Sequence, residues 1–258
     1  MRIAVLGCGP AGMFAAHAAA EEGHTVDILS KARKSFMRWA QYLHEPIPGL
    51  SGDPFKISYE LVGEVDIYRN KVYGDGEVQV SVETLVGVAD AWDIREAYDA
   101  AWSLYEDRIF DWDAASHGIP SDVDYELVFS TIPAKALCQG HDPALPKFLR
   151  CEFSSQMVLS TALAASSISN RDNVVVCSGD VKDLWYRTSR IHGWETSEYG
   201  DFVGKDAIPT GVKVWEVEKP ISTDCRCHPW VVRSGRYGKW TKGVLAHESY
   251  NDMKEALQ

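Results

Sequence analysis

The stretch that decides the fold is residues 2–30, RIAVLGCGPAGMFAAHAAAEEGHTVDILS. Residues 2–6 are typical of a short buried strand, and residues 25–29 predict a second one. Between them, residues 10–22 form an alanine-rich stretch with helical character that Gly23 ends. The sequence therefore predicts a complete βαβ unit of the Rossmann type at the start of the chain.

The turn between the first strand and the helix carries a GxGxxG motif, formed by Gly7, Gly9 and Gly12. Gly7 permits the tight turn, Gly9 lets the backbone approach a pyrophosphate, and Gly12 lets the helix and strand pack closely. The N-terminus of the helix presents free N–H groups and a positive dipole end to the phosphates. The motif in this setting predicts dinucleotide binding.

The end of the second strand bears on which dinucleotide binds. This position, about 20 residues beyond the glycines, usually carries an acid that binds the adenosine ribose. Here it is Ser30, followed by Lys31, Arg33 and Lys34. A hydroxyl can still bind a ribose, whereas cations there favour the 2′-phosphate of NADP. The glycines alone leave both FAD and NADP open.

Composition and charge limit the class of protein. With 258 residues, 45% of them hydrophobic, the chain can form one large domain or a domain with an inserted lobe. The net charge of −11 argues against broad sequence-independent binding of nucleic acid, while a local basic groove stays open. No signal-peptide pattern and no apolar run of about 18 residues occurs, so we expect a cytoplasmic chain without membrane contact.

Residues 35–54 lack the period of a helix or a strand and predict an ordered loop. Such loops line the crevice in which α/β proteins bind ligands. Gln41, Tyr42 and His44 are candidates for ligand contact, and His44 is a candidate proton carrier near neutral pH. The alternative is that Trp39, Tyr42 and His44 only pack the loop.

The middle of the chain mixes strand and helix patterns. An aromatic stripe at helical spacing predicts an amphipathic helix over residues 89–112. A turn is expected at residues 74–76. The predicted strands are 56–62, 65–68 and 77–82. We therefore predict a small inserted α+β cap lobe at residues 46–122, within a dinucleotide-binding domain formed by residues 1–45 and 123–258.

The rest of the chain returns to an α/β pattern. Predicted strands are 125–130, 173–177 and 212–217, while 148–153 and 157–165 fit either strand or helix. Near the end, Gly235 and Gly238 flank Arg236, and a polar helix is expected from about Leu245. This second glycine-rich turn offers backbone donors that can face the same pyrophosphate from the opposite side.

Several of these stretches together resemble a known family. GCGPAG at 7–12, STIP at 130–133 and GRYGKW at 235–240 occur in the order seen in FAD-dependent flavoproteins of the amine oxidase and UDP-galactopyranose mutase type. CSGDVKDLWYRTSR at 177–190 is similar to a mutase stretch near the flavin and substrate. More faintly, AQYLHEPIPGL at 40–50 resembles small flavoprotein-like oxidoreductases encoded by bacteriophages.

The resemblance implies bound FAD and assigns residues to its parts. The acid expected at the ribose is absent here, and the chain is much shorter than those enzymes, so no sugar-nucleotide substrate is carried over from them. Tyr186 and Arg187 would take the places near the substrate. The residues assigned to FAD are Gly7, Gly9, Pro10, Ala11 and Gly12 at the pyrophosphate, Ser30 and Lys31 at the adenosine ribose, Ala40 and Gln41 at the isoalloxazine, and Gly235 and Arg236 at the ribityl-pyrophosphate.

The expected chemistry is removal of a hydride from a small amine- or alcohol-type substrate held over the flavin. Tyr186 and Arg187 would orient the substrate, and His44 would act as a base. Arg187 and Arg190 could instead form structural ion pairs with Glu195 or Glu198. Three other functions remain open: a redox-neutral mutase or lyase acting on a sugar nucleotide or modified nucleobase, an NADP-dependent reductase, and a non-catalytic nucleotide-binding module.

The six cysteines are scattered along the chain and are expected to be reduced thiols. Cys225, Cys227 and His228 suggest zinc, but the single residue between the cysteines is shorter than the usual loop of about two to four residues. No second cysteine pair with metal-ligand spacing occurs in the sequence. The sequence therefore predicts no metal site.

Overall fold

The fold is described from a computed structural model. The residues that it describes are 1–31, 34, 37, 39–74, 80–121, 123–138, 140, 150–164, 168, 170–200, 202–208 and 211–258. Their strands are β1 (Arg2–Leu6), β2 (Thr25–Leu29), β3 (Phe55–Gly63), β4 (Gly87–Ala91), β5 (Ile109–Phe110), β6 (Leu127–Ser130), β7 (Phe153–Thr161), β8 (Val174–Gly179), β9 (Trp185–Ile191), β10 (Trp194–Gly200), β11 (Val214–Thr223) and β12 (Val231–Arg233). Their α-helices are α1 (Pro10–Glu21), α2 (Val65–Tyr73), α3 (Ile94–Tyr105), α4 (Ala114–His117), α5 (Ala134–Leu137), α6 (Gly235–Lys239) and α7 (Glu248–Ala256).

The first sheet is parallel and has the order β12-β6-β1-β2-β5. Its central strand β1 is buried on both faces, as helix-covered parallel sheets require. Helices α1 and α3 pack together, and α1 also contacts α7. The predicted βαβ unit and the α/β Rossmann-type fold class are confirmed.

The second sheet has the order β11-β7-β10-β9-β8-β3-β4 and is antiparallel except for the β3–β8 pair. Strands β3 and β4 come from the predicted cap at 46–122, whereas the other five come from residues 153–223. All six residues of β8 are buried, and the strand is paired on one side by β3 and on the other by β9. Strand pairing therefore crosses the predicted boundary, and the division into domains stays a prediction.

Two predicted elements within 46–122 differ from the structure. Residues 65–68 were expected to be a strand but begin helix α2, because Val65, Tyr68 and Val72 share one helical face and pack on the second sheet. The helix predicted at 89–112 is shorter: it begins after the N-cap Asp93, whose carboxylate accepts a hydrogen bond from the backbone N–H of Arg95 at 2.8 Å.

The other sequence expectations mostly agree with the structure. The predicted strands 56–62, 125–130, 173–177 and 212–217 correspond to β3, β6, β8 and β11, and the ambiguous stretch 157–165 overlaps strand β7. Of the predicted turn at 74–76 and strand at 77–82, residues 75–79 lie outside the described residues, as do residues 148 and 149. None of the helices in the described ranges combines the length and apolar character that a membrane span needs.

Candidate functional site

The turn between β1 and α1 has the geometry that its glycines predict. Gly7 has a φ of +104°, which favours glycine. A Cβ atom on Gly12 would lie 1.9 Å from the carbonyl oxygen of Gly7, so the helix and the turn are in close contact. At Gly9 an added Cβ would meet no atom of the described residues within 4 Å. Open space therefore lies beside Gly9, in front of the first turn of α1.

The second glycine turn lies directly against the first one. A Cβ on Gly235 would be 3.1 Å from the Cβ of Ala11, and Gly235 has a φ of +69°. The Ser249 hydroxyl of α7 donates a hydrogen bond to the carbonyl of Ala11 at 2.6 Å. Helix α6 has only five residues, so its dipole is small, and the contribution of this turn comes mainly from its position and from Arg236.

A cavity of about 450 Å³ opens between this junction and the second sheet. This volume falls in the range of small-molecule sites, about 300–1,000 Å³. The cavity walls come from four parts of the chain: the start of α1, the loop before β3, one face of the second sheet and the segment after β12. They include Pro10, Ala11, Ala40, Gln41, His44, Arg187, Glu198, Lys219, Arg236 and Tyr237.

The loop that forms one wall is held by specific contacts. The Arg95 guanidinium donates to the carbonyl oxygen of Trp39, and the backbone N–H of Ala40 donates to the Thr196 hydroxyl at 3.0 Å. Leu43 pairs with Trp92 in an isolated antiparallel bridge. These contacts connect the loop to α3 and to the second sheet and fix the backbone of residues 39–43 at the cavity.

Three charged side chains form an ion-pair network on the cavity floor. Arg187 on β9 and Glu198 on β10 are directly opposite each other in the strand register, and Arg187 Nε lies 3.0 Å from Glu198 Oε2. Lys219 Nζ on β11 lies 2.6 Å from the other carboxylate oxygen, Glu198 Oε1. Arg190 forms the equivalent cross-strand pair with Glu195 at 3.4 Å. The structural ion pairs considered from the sequence are thus confirmed.

The network leaves the cavity with excess positive charge. Burial opposes ionisation of Glu198, but the charges of Arg187 and Lys219 outweigh it and lower the carboxyl pKa to about 2. Burial lowers the pKa of the Lys219 ammonium to about 8, so it is still mostly protonated at pH 7. Among the described residues that line the cavity, Arg187, Lys219 and Arg236 carry positive charges against the single carboxylate of Glu198. The cavity therefore favours an anionic ligand.

Arg187 is more open to such a ligand than Lys219 is. Its side chain is 42% exposed, whereas those of Glu198 and Lys219 are 12% and 18% exposed. Because Arg187 also lines the cavity, part of its guanidinium can contact a ligand while Nε and one Nη hold Glu198. Ion pairing and ligand contact are therefore compatible for this residue.

Arg236 has a buried nitrogen that the protein leaves unsatisfied. Its Nε has no hydrogen-bond partner among the described residues and is shielded from solvent. An unsatisfied buried donor costs about 1–3 kcal/mol. Arg236 also lines the cavity, next to the glycine junction, so an acceptor on a bound ligand would remove this cost.

His44 lines the cavity near the ion-pair network. Partial burial of its ring, together with the charges of His247 and Arg187, lowers the pKa of the imidazole below its ordinary value. The ring also packs on Tyr42, with centroids 4.9 Å apart, so the packing role considered from the sequence is present as well. At neutral pH His44 is uncharged and can accept a proton.

Tyr186 does not line the cavity. It is 3% exposed and packs in the core of the second sheet, where its hydroxyl accepts a hydrogen bond from Lys219 at 3.4 Å. The strand register shifts at this point: Arg187 is opposite Glu198 and Trp185 is opposite Tyr199, so Tyr186 is the extra residue of a β-bulge. Tyr186 is therefore placed to position Lys219, and the substrate contact predicted for it from the sequence stays a prediction.

Ser30 and Lys31 lie at the end of β2, outside the cavity. The Ser30 hydroxyl accepts a hydrogen bond from Cys8 Sγ of the first glycine turn at 3.3 Å. Lys31 is 3.2 Å from Asp113, and Lys34 is 2.8 Å from Asp99. Two of the cations that favour NADP thus already have carboxylate partners, and the third, Arg33, lies outside the described residues.

Sequence reasoning missed Lys219 and two cysteines. Lys219 lies two residues beyond the predicted strand 212–217 and in no local motif, and only sheet pairing brings it to Glu198. Cys138 and Cys151 lie beside Cys225 and Cys227, with all four sulfur atoms within 4.8 Å of one another. The search for a second cysteine pair by sequence spacing could not find Cys138 and Cys151, because folding joins cysteines that are distant in sequence.

Comparisons with known proteins support the fold. No protein-family model and no curated protein matches the sequence. A solved structure of reduced UDP-galactopyranose mutase is similar with a TM-score of 0.60 and 11% identity, over 99% of this chain and 93% of that chain. The 2,6-dihydroxypyridine-3-hydroxylase of Arthrobacter nicotinovorans has a TM-score of 0.58 and 10% identity, over 99% and 82% of the chains.

A third similar structure is the tetrameric form of 2-methyl-3-hydroxypyridine-5-carboxylic acid oxygenase. Its TM-score is 0.54 at 12% identity, over 99% of this chain and 80% of that one. At such identities these likenesses show a shared fold. They support the flavoprotein fold that the sequence resemblance implies, while the amine oxidase type stays a prediction.

We expect Glu198→Gln to lower the free energy of unfolding by about 3 kcal/mol, because it leaves two cations facing each other without their shared carboxylate. The matched control is Glu195→Gln in the same hairpin, whose partner Arg190 is less tightly paired; the expected loss there is below about 1 kcal/mol. Urea unfolding of the three proteins measures both values. Equal losses in the two variants would contradict the assigned role of Glu198.

Proposed function

We propose that the chain is an FAD-dependent oxidoreductase that removes a hydride from a small amine- or alcohol-type substrate carrying a negative charge. The observation that carries this proposal is the junction of two glycine turns beside a positively charged cavity. The junction suits a pyrophosphate, and the cavity next to it suits the reacting end of a flavin together with an anionic substrate.

The residues present fit FAD in several respects. The open space at Gly9 and the first turn of α1 would receive the pyrophosphate, and Ala11 and Gly12 would donate their backbone N–H groups. Arg236 would supply its unsatisfied Nε to the same group or to the ribityl chain. We further propose that Ser30 and Lys31 lie at the adenosine ribose, and that Ala40 and Gln41 lie beside the isoalloxazine.

FAD, when bound, would supply the hydride acceptor. The chain itself would orient the substrate, bind its anionic group and accept a proton from it. Arg187 would bind a carboxylate or phosphate of the substrate, since its guanidinium reaches the cavity, and Lys219 would strengthen the positive field. His44, uncharged at neutral pH, would take a proton from the amine or alcohol group. The fixed loop at 39–43 would limit the entry of water.

A redox-neutral flavin enzyme is a second candidate. The similarity to a UDP-galactopyranose mutase structure, with a TM-score of 0.60, favours it, as does a cationic cavity that would also attract a sugar nucleotide. The two functions differ in their products, because only the oxidoreductase leaves the substrate short of two electrons. An NADP reductase is less favoured, since Lys31 and Lys34 are paired with carboxylates.

Replacing Gly9 tests the pyrophosphate site. Gly9→Leu should abolish retention of flavin, because the side chain would fill the space assigned to the phosphates. Gly204→Leu is the matched control: both glycines have negative φ values, −72° and −64°, and an added Cβ meets nothing within 4 Å at either. Flavin absorbance per chain after purification is the measurement. Full retention in Gly9→Leu would place the cofactor elsewhere.

Replacing Arg187 tests the substrate site. Anaerobic flavin reduction, followed with a panel of small amines and alcohols, should be fast only for members carrying a carboxylate or phosphate. Arg187→Ala should lower the second-order rate constant for flavin reduction by these substrates about 100-fold, which corresponds to about 2.7 kcal/mol. The control is Arg190→Ala: Arg190 lies on the same strand, pairs with Glu195 and does not line the cavity. This change should alter the rate constant less than about threefold. Equal effects of both changes would contradict the proposed contact.

A further inference from the structure

Four of the six cysteines come together away from the glycine junction. Cys138 follows α5, Cys151 precedes β7, and Cys225 and Cys227 lie on the connection from β11 to β12. Their Sγ atoms all lie within 4.8 Å of one another, and none of these cysteines forms a disulfide. The remaining cysteines, Cys8 and Cys177, are buried elsewhere.

The spacing of the sulfur atoms fits a tetrahedral thiolate site. A zinc ion with four thiolate ligands at about 2.3 Å places neighbouring sulfurs about 3.8 Å apart. The Cys227 sulfur lies 3.8 Å from that of Cys138 and 3.7 Å from that of Cys151. A disulfide would require a sulfur separation of about 2.05 Å. Cys227 thus lies at the separation that a shared metal ion requires from two of the other cysteines, and all four sulfur atoms lie within 4.8 Å of one another.

The surroundings of the cluster fit a negatively charged metal site. Arg233 on β12 donates hydrogen bonds to the carbonyl oxygens of Cys225 and Cys227, at 3.2 and 2.7 Å. Its guanidinium also lies 3.4 Å from Cys225 Sγ. Groups of this kind orient the ligands of a metal and balance the charge of its thiolates.

We propose that Cys138, Cys151, Cys225 and Cys227 bind one structural zinc ion. Binding replaces the four thiol protons with one Zn²⁺ and releases these protons to solvent, so the site carries a charge of −2 that Arg233 partly offsets. All four coordination positions come from the protein, which is the pattern of a structural site; a catalytic zinc keeps one position open for water or substrate.

The zinc would join the end of α5 to the start of β7 and the connection into β12. The last two segments already meet, because Thr223 pairs with Phe153 and the N–H of Asp224 donates to the carbonyl oxygen of Glu152 at 3.4 Å. Strand β12 ends at Arg233, two residues before Gly235. The metal would therefore fix the start of the second glycine turn. Zinc binding itself does not depend on the proposed function, because it rests on the cysteine geometry alone.

The test is metal analysis of the full chain, purified under reducing conditions without a histidine tag or chelator. We expect about one zinc per chain in the natural sequence. Cys227→Ala should lower the zinc content at least about tenfold, since Cys227 lies at the ligand distance from two other cysteines. Cys177→Ala, the matched control at a buried cysteine outside the cluster, should keep the full amount. Chelation of the natural protein should lower its melting temperature, and added zinc should restore it.

A second measurement keeps the proposal testable if Cys227→Ala does not fold. Cobalt exchanged into the natural protein should show the intense thiolate-to-cobalt absorption and visible bands of a tetrahedral sulfur site. The proposal would be overturned if the natural protein contained no bound metal. It would also be overturned if Cys227→Ala retained as much zinc as the natural protein. One tightly bound iron in place of zinc would overturn the zinc assignment.

Discussion

The close approach of Gly235 to Ala11 is the constraint on which the candidate site depends. A Cβ added to Gly235 would lie 3.1 Å from the Cβ of Ala11, so position 235 has little room for a larger residue. The φ of +69° at Gly235 also favours glycine. The contact joins residues 224 positions apart in sequence and brings Arg236 next to the first glycine turn. Ser249 reinforces it through the carbonyl of Ala11. The last strand, the second glycine turn and α7 thus complete a site that the first βαβ unit only begins.

The second sheet gives the site its charge. Arg187, Glu198 and Lys219 come from three different strands, and the single carboxylate is shared between two cations. The chain as a whole carries a net charge of −11, whereas the charged groups lining the cavity sum to a positive value. A local positive field inside an acidic protein attracts an anionic ligand to one place and repels it from the rest of the surface. In the proposed function, this contrast would let the cavity attract a phosphate-bearing cofactor while the rest of the surface disfavours polyanions.

The sequence predicts those features that depend on residues close to one another in the chain. The βαβ unit follows from Gly7, Gly9 and Gly12 with their flanking strands. The Arg187–Glu198 pair was one of the pairings considered, and the structure shows that both residues lie in one short hairpin. The composition of the second sheet could not be predicted, since β3 pairs in parallel with β8 over a large sequence distance. Lys219 and the four-cysteine cluster were missed for the same reason: their partners become neighbours only after the sheets have formed. The strand predicted at 65–68 was wrong because a short apolar run fits the period of a helix as well as that of a strand.

The central claim is that the glycine junction holds FAD, and direct identification of the bound cofactor tests it. The chain, purified without added nucleotide, would be denatured and the released small molecules identified by mass spectrometry. The account predicts FAD in an amount approaching one molecule per chain. Release of NADP, or of no dinucleotide from a protein that also fails to bind added FAD, would contradict it.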